Sequence, residues 1–121
     1  MNQIVQPNPQ VNIVLVNDKK MRALKRKFSG KGEVGDVLAF SMKEELEQGI
    51  FLLGEIVVNQ EQARRQAKEY GVSEEEEMAR LITHGALHLL GYRDETEEER
   101  RGMEEVQERI VTEVQSVKHK V

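Results

Sequence analysis

The chain has 121 residues, 38% hydrophobic and 33% charged, which suits one domain with one modest core and a well-solvated surface. It contains no cysteine, so a disulfide framework and any thiolate metal site are excluded; with 4% aromatics and no tryptophan, the core has to be aliphatic and methionine-filled. The formal charge of −4 argues weakly against nucleic acid as a partner, yet residues 1–43 hold eight Lys/Arg against three Asp/Glu, and Lys19 to Lys31 includes seven positive residues and no negative one.

Affinity for phosphate follows the local field rather than the net charge, so this stripe is either a phosphate contact or a plain solvated helix face. No apolar run reaches the roughly 18 residues a membrane-spanning helix needs. The start, MNQIVQPNPQ, has no charged segment followed by an apolar one and does not read as a signal peptide. The expectation is therefore no membrane partner and a cytoplasmic location.

Residues 1–10, with both prolines, read as an extended lead-in. VNIVLV (11–16) is β-branched and uncharged and predicts a buried strand. Asn17 or Asp18 can cap a helix over 18–28, where Met21, Leu24 and Phe28 recur at helical spacing, and SGKGEVG (29–35) is a glycine-rich loop. DVLAFSM (36–42) and FLLGEIVVN (51–59) read as two strands of an antiparallel hairpin joined by the polar KEELEQG. Gly54 inside the second strand signals a bulge or a close backbone approach. Asn59 can cap a helix to Tyr70, with Gly71 ending it. Ser73 with Glu76 forms a capping box for the next helix, and glutamates 74–77 suit its positive end without needing a functional role. That helix runs to Leu90. A last helix, about 95–116, carries Met103, Val106, Ile110, Val114 and Val117 on one stripe. Residues 11–117 thus form a single α+β domain, a small mixed β-sheet with an antiparallel hairpin packed against helices, followed by a tail at 118–121.

The segment THGALHLLGYRD (83–94) holds two of the three histidines. Leu81, His84 and His88 share one side of a helix that is apolar almost all round, which is the pattern of a buried helix. Two histidines there need partners. They are either core imidazoles bonded to backbone or carboxylate, or an i, i+4 pair converging on one ion. Gly91 permits the positive φ that reverses the chain and can return Asp94 toward them. The spacing H-x-x-x-H-x-x-G-x-x-D is that of the metzincin zinc proteases with aspartate in place of the third histidine. Three protein ligands leave a position for water, as catalytic sites do. The general-base glutamate that follows the first histidine in metzincins is Gly85 here, which speaks against a peptidase.

HGALHLLGYRD resembles the signature of the YbeY family of bacterial rRNA-maturation endoribonucleases, H-G-x-L-H-L-x-G-Y-D-H. GDVLAF (35–40) is similar to that family's T-D-V-L-S-F, and LGEIVV (53–58) to its L-G-D-I-x-I. The resemblance covers about residues 11–115. It implies a metal-dependent endoribonuclease with one zinc ion per chain, held at His84 and His88, to which the spacing adds Asp94, with a metal-activated water. It further implies single-stranded or ribosomal RNA as substrate, the small ribosomal subunit as partner, and a part in rRNA maturation and ribosome quality control. The family's third histidine is Asp94 here, and its phosphate-holding arginine falls on Ser29. Lys20, Lys27 and Lys31 are the expected RNA contacts, although a lysine is a point charge and not a bidentate fork. The family usually has a further strand and helix before VNIVLV; without them one sheet face is exposed or covered by a second subunit, a homo-oligomer. The alternative function is a non-catalytic, ribosome-associated RNA-binding protein with a structural metal.

Overall fold

The computed structural model describes residues 8–29, 35–47 and 49–118. Along the chain run β1 (Asn8–Val16), α1 (Asp18–Ser29), β2 (Val37–Glu47), β3 (Ile50–Asn59), α2 (Gln60–Tyr70), α3 (Glu74–Leu89) and α4 (Glu97–Lys118). The three strands form a mixed sheet in the order β1-β3-β2, with β1 parallel and β2 antiparallel to the central β3. The α+β architecture and the hairpin are as the sequence predicts, and α3 packs at the centre, touching β2, β3, α2 and α4.

Local chemistry sets the helix ends. Asn59 is fully buried and its Oδ1 accepts from the backbone N–H groups of Glu61 and Gln62. Its Nδ2 donates to Asp18 Oδ1 and to the Gly35 carbonyl, so one amide joins the starts of α1 and α2 to the approach to β2. Gly71 closes α2 at φ 69°. Ser73 Oγ accepts from the Glu76 N–H, while the Glu76 carboxylate accepts from Arg80. Thr96 and Glu99 form a reciprocal capping box at α4, a T-x-x-E signal that the sequence reading passed over.

Other expectations are corrected. The strand predicted over 11–16 begins at Asn8, and it is an edge, not a buried strand. Ile13 is 48% and Leu15 50% exposed, because little besides its neighbour β3 packs against this edge strand. KEELEQG is mostly strand rather than connection: β2 continues to Glu47 with exposed side chains, carried by its pairing with β3. Both pairings shift register opposite Leu53, and Lys43 takes φ 50° at the irregularity in β2. On α4 the buried side is Met103, Gln107 and Val111, whereas Val114 and Val117 are exposed. Of the four glutamates at the start of α3, Glu77 is 1% exposed and fully engaged. It accepts from Gln66 Nε2 at 2.7 Å and from Arg80 Nη1 at 2.9 Å.

The core that seats α3 is Ile56, Val58, Ala63, Leu81 and Leu89. Two glycines allow the close approach. A Cβ on Gly85 would lie 2.7 Å from Ile56 Cγ2, and one on Gly54 would lie 2.7 Å from Leu89 Cδ2 and 2.3 Å from the Phe40 carbonyl oxygen. Helix and sheet therefore meet glycine against side chain on each side. Among the described residues no helix is long and apolar enough to cross a membrane.

Candidate metal centre

His84 and His88 stand one turn apart near the C-terminal end of α3, side chains 30% and 31% exposed, with ring centroids 4.7 Å apart. They line the protein's surface rather than its core. The helix ends in a Schellman arrangement: the Tyr92 N–H reaches the Leu87 carbonyl and the Gly91 N–H reaches the His88 carbonyl. Gly91 has φ 101°, a region closed to most side chains. The reversal brings an Asp94 carboxylate oxygen to 3.4 Å from His88 Nε2 and 3.9 Å from His84 Nε2. His84, His88 and Asp94 are thus three donors from eleven residues facing one point.

The proton positions on the rings follow from their other partners. His88 Nδ1 lies 3.2 Å from the Tyr92 carbonyl oxygen, and His84 Nδ1 lies 2.8 Å from Gln107 Oε1. Both oxygens only accept, so in the neutral rings each Nδ1 carries the hydrogen and each Nε2 is left as a lone pair. The two Nε2 atoms face each other at 3.2 Å with the Asp94 oxygen beside them. Three electron-pair donors so placed repel one another unless a proton or a metal ion sits among them. In a tetrahedral zinc site with bonds of about 2.0–2.1 Å, donors are separated by about 3.3 Å. The separations of 3.2, 3.4 and 3.9 Å fit that spacing with a small closing movement. The residues present fit a zinc-class ion.

Behind His84 lies a polar network. Gln107 is 7% exposed, and its Nε2 donates to Glu108 Oε2. Arg80 grips both Glu108 oxygens, through Nε at 2.8 Å and Nη2 at 2.9 Å, and also reaches Glu76 and Glu77. The Glu108 carboxylate, followed by those of Glu77 and Glu76, holds the Arg80 guanidinium above its ordinary pKa. Arg80 in turn holds Glu108 below the usual carboxylate range. A cleft of about 260 Å³ beside His84 is bordered by Asp36, Tyr70, Arg80 and Gln107. Arg80 does not replace the family's arginine as a phosphate fork, because its donors are committed to three glutamates.

The lysines are placed elsewhere. Lys20 and Lys27 border a larger groove of about 450 Å³, lined by Phe28, Phe40, Glu55 and Val57. Glu55 and Val57 alternate with Gly54 and Ile56, which meet α3, so this groove lies on the opposite sheet face from the histidines. The Lys27 amine sits 5.3 Å over the Phe28 ring. Lys31 falls outside the described residues, as does His119. Ser29 closes α1. Gln107 and Arg80 were missed in the sequence; the available signal was a glutamine in step with Met103 and Val111 on the buried side of α4.

The fold and these donors define an α+β protein whose central helix and the turn after it present a His-His-Asp set able to hold a divalent ion. The sequence model of the family described as Endoribonuclease YbeY matches residues 1–115. Endoribonuclease YbeY of Syntrophomonas wolfei subsp. wolfei is 40% identical over 116 residues, covering 89% of this chain and 74% of that protein. Its counterpart in Desulforamulus reducens is 41% identical over 110 residues, covering 87% and 72%. The solution structure of a Thermotoga maritima protein superposes with a TM-score of 0.66 at 30% identity, over 93% of this chain and 73% of that one. The chain belongs to the endoribonuclease YbeY family.

Proposed function

We propose that this chain is a metal-dependent endoribonuclease that hydrolyses single-stranded RNA, with one zinc ion held by His84, His88 and Asp94, acting in the cytoplasm on ribosomal RNA at the small ribosomal subunit. The observation that carries the reading is the pair of Nε2 atoms 3.2 Å apart beside a carboxylate oxygen, a donor set that a divalent ion satisfies. Three protein ligands leave room for water, and a divalent ion there supplies Lewis acidity toward a phosphoryl oxygen and a lowered water pKa. The protein's own part is to hold the two rings with their Nδ1 hydrogens turned away, to return Asp94 through the Gly91 turn, and to keep the cleft beside His84 open to a phosphodiester. Membership of a family named for endoribonuclease activity supports the same reading.

A second reading, an RNA-binding protein with a structural metal, is favoured by one observation. Lys20 and Lys27 flank a groove on the sheet face away from the histidines, and no arginine stands at position 29. Incubating unstructured RNA with the protein and zinc, manganese or magnesium separates the two. The enzyme gives internal cleavage that His84→Ala abolishes. RNA retained on the protein without products under any of the three ions would leave only the second reading.

A further inference from the structure

The metal ligands do not explain why a buried glutamine faces one of them. Gln107 comes from α4, 23 residues beyond His84, and sits among charged residues on a helix that otherwise turns its polar side to solvent. Its amide has two ends with opposite demands. The oxygen end faces His84 Nδ1 at 2.8 Å, and the nitrogen end faces Glu108 Oε2 at 3.1 Å. If the amide were turned over, its oxygen would face a carboxylate, acceptor against acceptor, and its N–H would call for the other His84 tautomer, with Nδ1 accepting. Glu108 therefore decides which way the amide points, and Arg80 decides where Glu108 is, by a bidentate grip at 2.8 and 2.9 Å. Arg80 is itself anchored on α3 by Glu76 and by the buried Glu77.

We propose that Gln107 is the positioning residue of the centre: oriented by the Arg80–Glu108 pair, it fixes His84 in the tautomer whose Nε2 is free to bind a metal ion. The inference rests on the metal-site reading above and deepens it. A ligand histidine is usually held through its other ring nitrogen by a carboxylate or carbonyl, and losing that partner typically costs 10–100-fold in metal affinity. Here the holder is an amide, whose direction is not self-determined. A carboxylate would accept from either oxygen; an amide needs a third group to choose its acceptor end. The same arrangement is asymmetric between the two ligands. His88 is held by the Tyr92 backbone carbonyl, within its own turn, while His84 is held by a side chain of another helix. The packing of α4 on α3 is thereby built into the metal centre.

Two measurements test this, neither using RNA. The first is the ring-nitrogen NMR signature of His84 in metal-free protein with its imidazoles neutral. The Nδ1–H tautomer is expected in the native chain, and a mixture of tautomers in Gln107→Leu. The second is zinc affinity by chelator competition: about 10–100-fold weaker for Gln107→Leu. A melting curve on each variant separates lost positioning from lost fold. Should Gln107→Leu fail to fold, the more exposed Glu108→Ala carries the test, with the same tautomer mixture and a weaker zinc complex expected. An Nε2–H tautomer in the native chain, or zinc affinity unchanged in the folded variant tested, overturns the proposal. A chain with the expected tautomer and zinc response that cleaves no RNA refutes the nuclease reading and leaves this one standing.

Discussion

Replacing Gly85 tests the packing on which the histidine helix stands. An alanine Cβ there would sit 2.7 Å from Ile56 Cγ2 and 3.3 Å from Cγ1, both on the branched and therefore stiff part of a fully buried side chain. Overpacking of this kind costs about 1–3 kcal/mol. Alanine in place of glycine in a helix interior returns about 1 kcal/mol. The net expectation for Gly85→Ala is a loss of roughly 0–2 kcal/mol, or a fall in Tm of up to about 10 °C for a domain near this size. In an Ile56→Ala background, which itself costs about 2–5 kcal/mol, the contact is gone and the same change should stabilise by about 1 kcal/mol. The coupling between the two sites is then about 1–3 kcal/mol, within reach of thermal or urea melts on four proteins. Gly85→Glu, which would restore the metzincin pattern, should not create a peptidase. It would push a carboxylate against Ile56 in the core, and loss of cooperative folding is expected. A Gly85→Ala protein that gains stability equally in both backgrounds would show that helix and sheet are not in close contact there, and the reasoning would fail.

Three further expectations follow from the site and its supports. Asp94→Ala should weaken zinc binding while Asp94→His keeps or tightens it, measured by chelator competition; equal affinity in all three proteins would mean that residue 94 is no ligand. Gly91→Val meets no steric obstacle, so its cost is backbone strain of about 1–3 kcal/mol, and metal affinity should drop more than helix content by circular dichroism. Asp18, held at a pKa of about 2 by Arg65 and then Asn59, contributes stability that is complete above about pH 4 and is lost as the pH falls toward 2. Asp18→Asn should flatten the acid limb of the melting curve over that window, and an unaltered limb would remove the pair from the account.

What the sequence made legible was chemistry that is local. The caps at Asn59, Gly71 and Ser73 lie within four residues of the groups they satisfy, and the His84, His88 and Asp94 spacing lies within a single helix end. What it hid depends on partners distant along the chain. Residues Lys43–Glu47 look like a polar connection because their side chains are solvated; they are strand only because β3 lies beside them. The VNIVLV strand reads as buried from its composition, but burial is set by what covers the strand. Periodicity places Lys20 and Lys27 on one helix without saying which face of the sheet that helix covers. Gln107 was invisible for a similar reason, since its partner is on another helix and the segment around it is rich in glutamate and arginine.

Unfolding treats the parts of this centre unequally. It carries Gln107 away from His84, but the three candidate metal donors stay within residues 84–94, a stretch too short to let them drift far apart. A denatured chain therefore keeps much of its capacity to chelate, and an ion bound by both states adds to folding only the difference between its two affinities. The domain should accordingly hold together with or without an ion at these donors, on the strength of Ile56, Leu81 and Leu89. If the proposed metal chemistry holds, chelators would be reagents for switching it off without dissolving the scaffold.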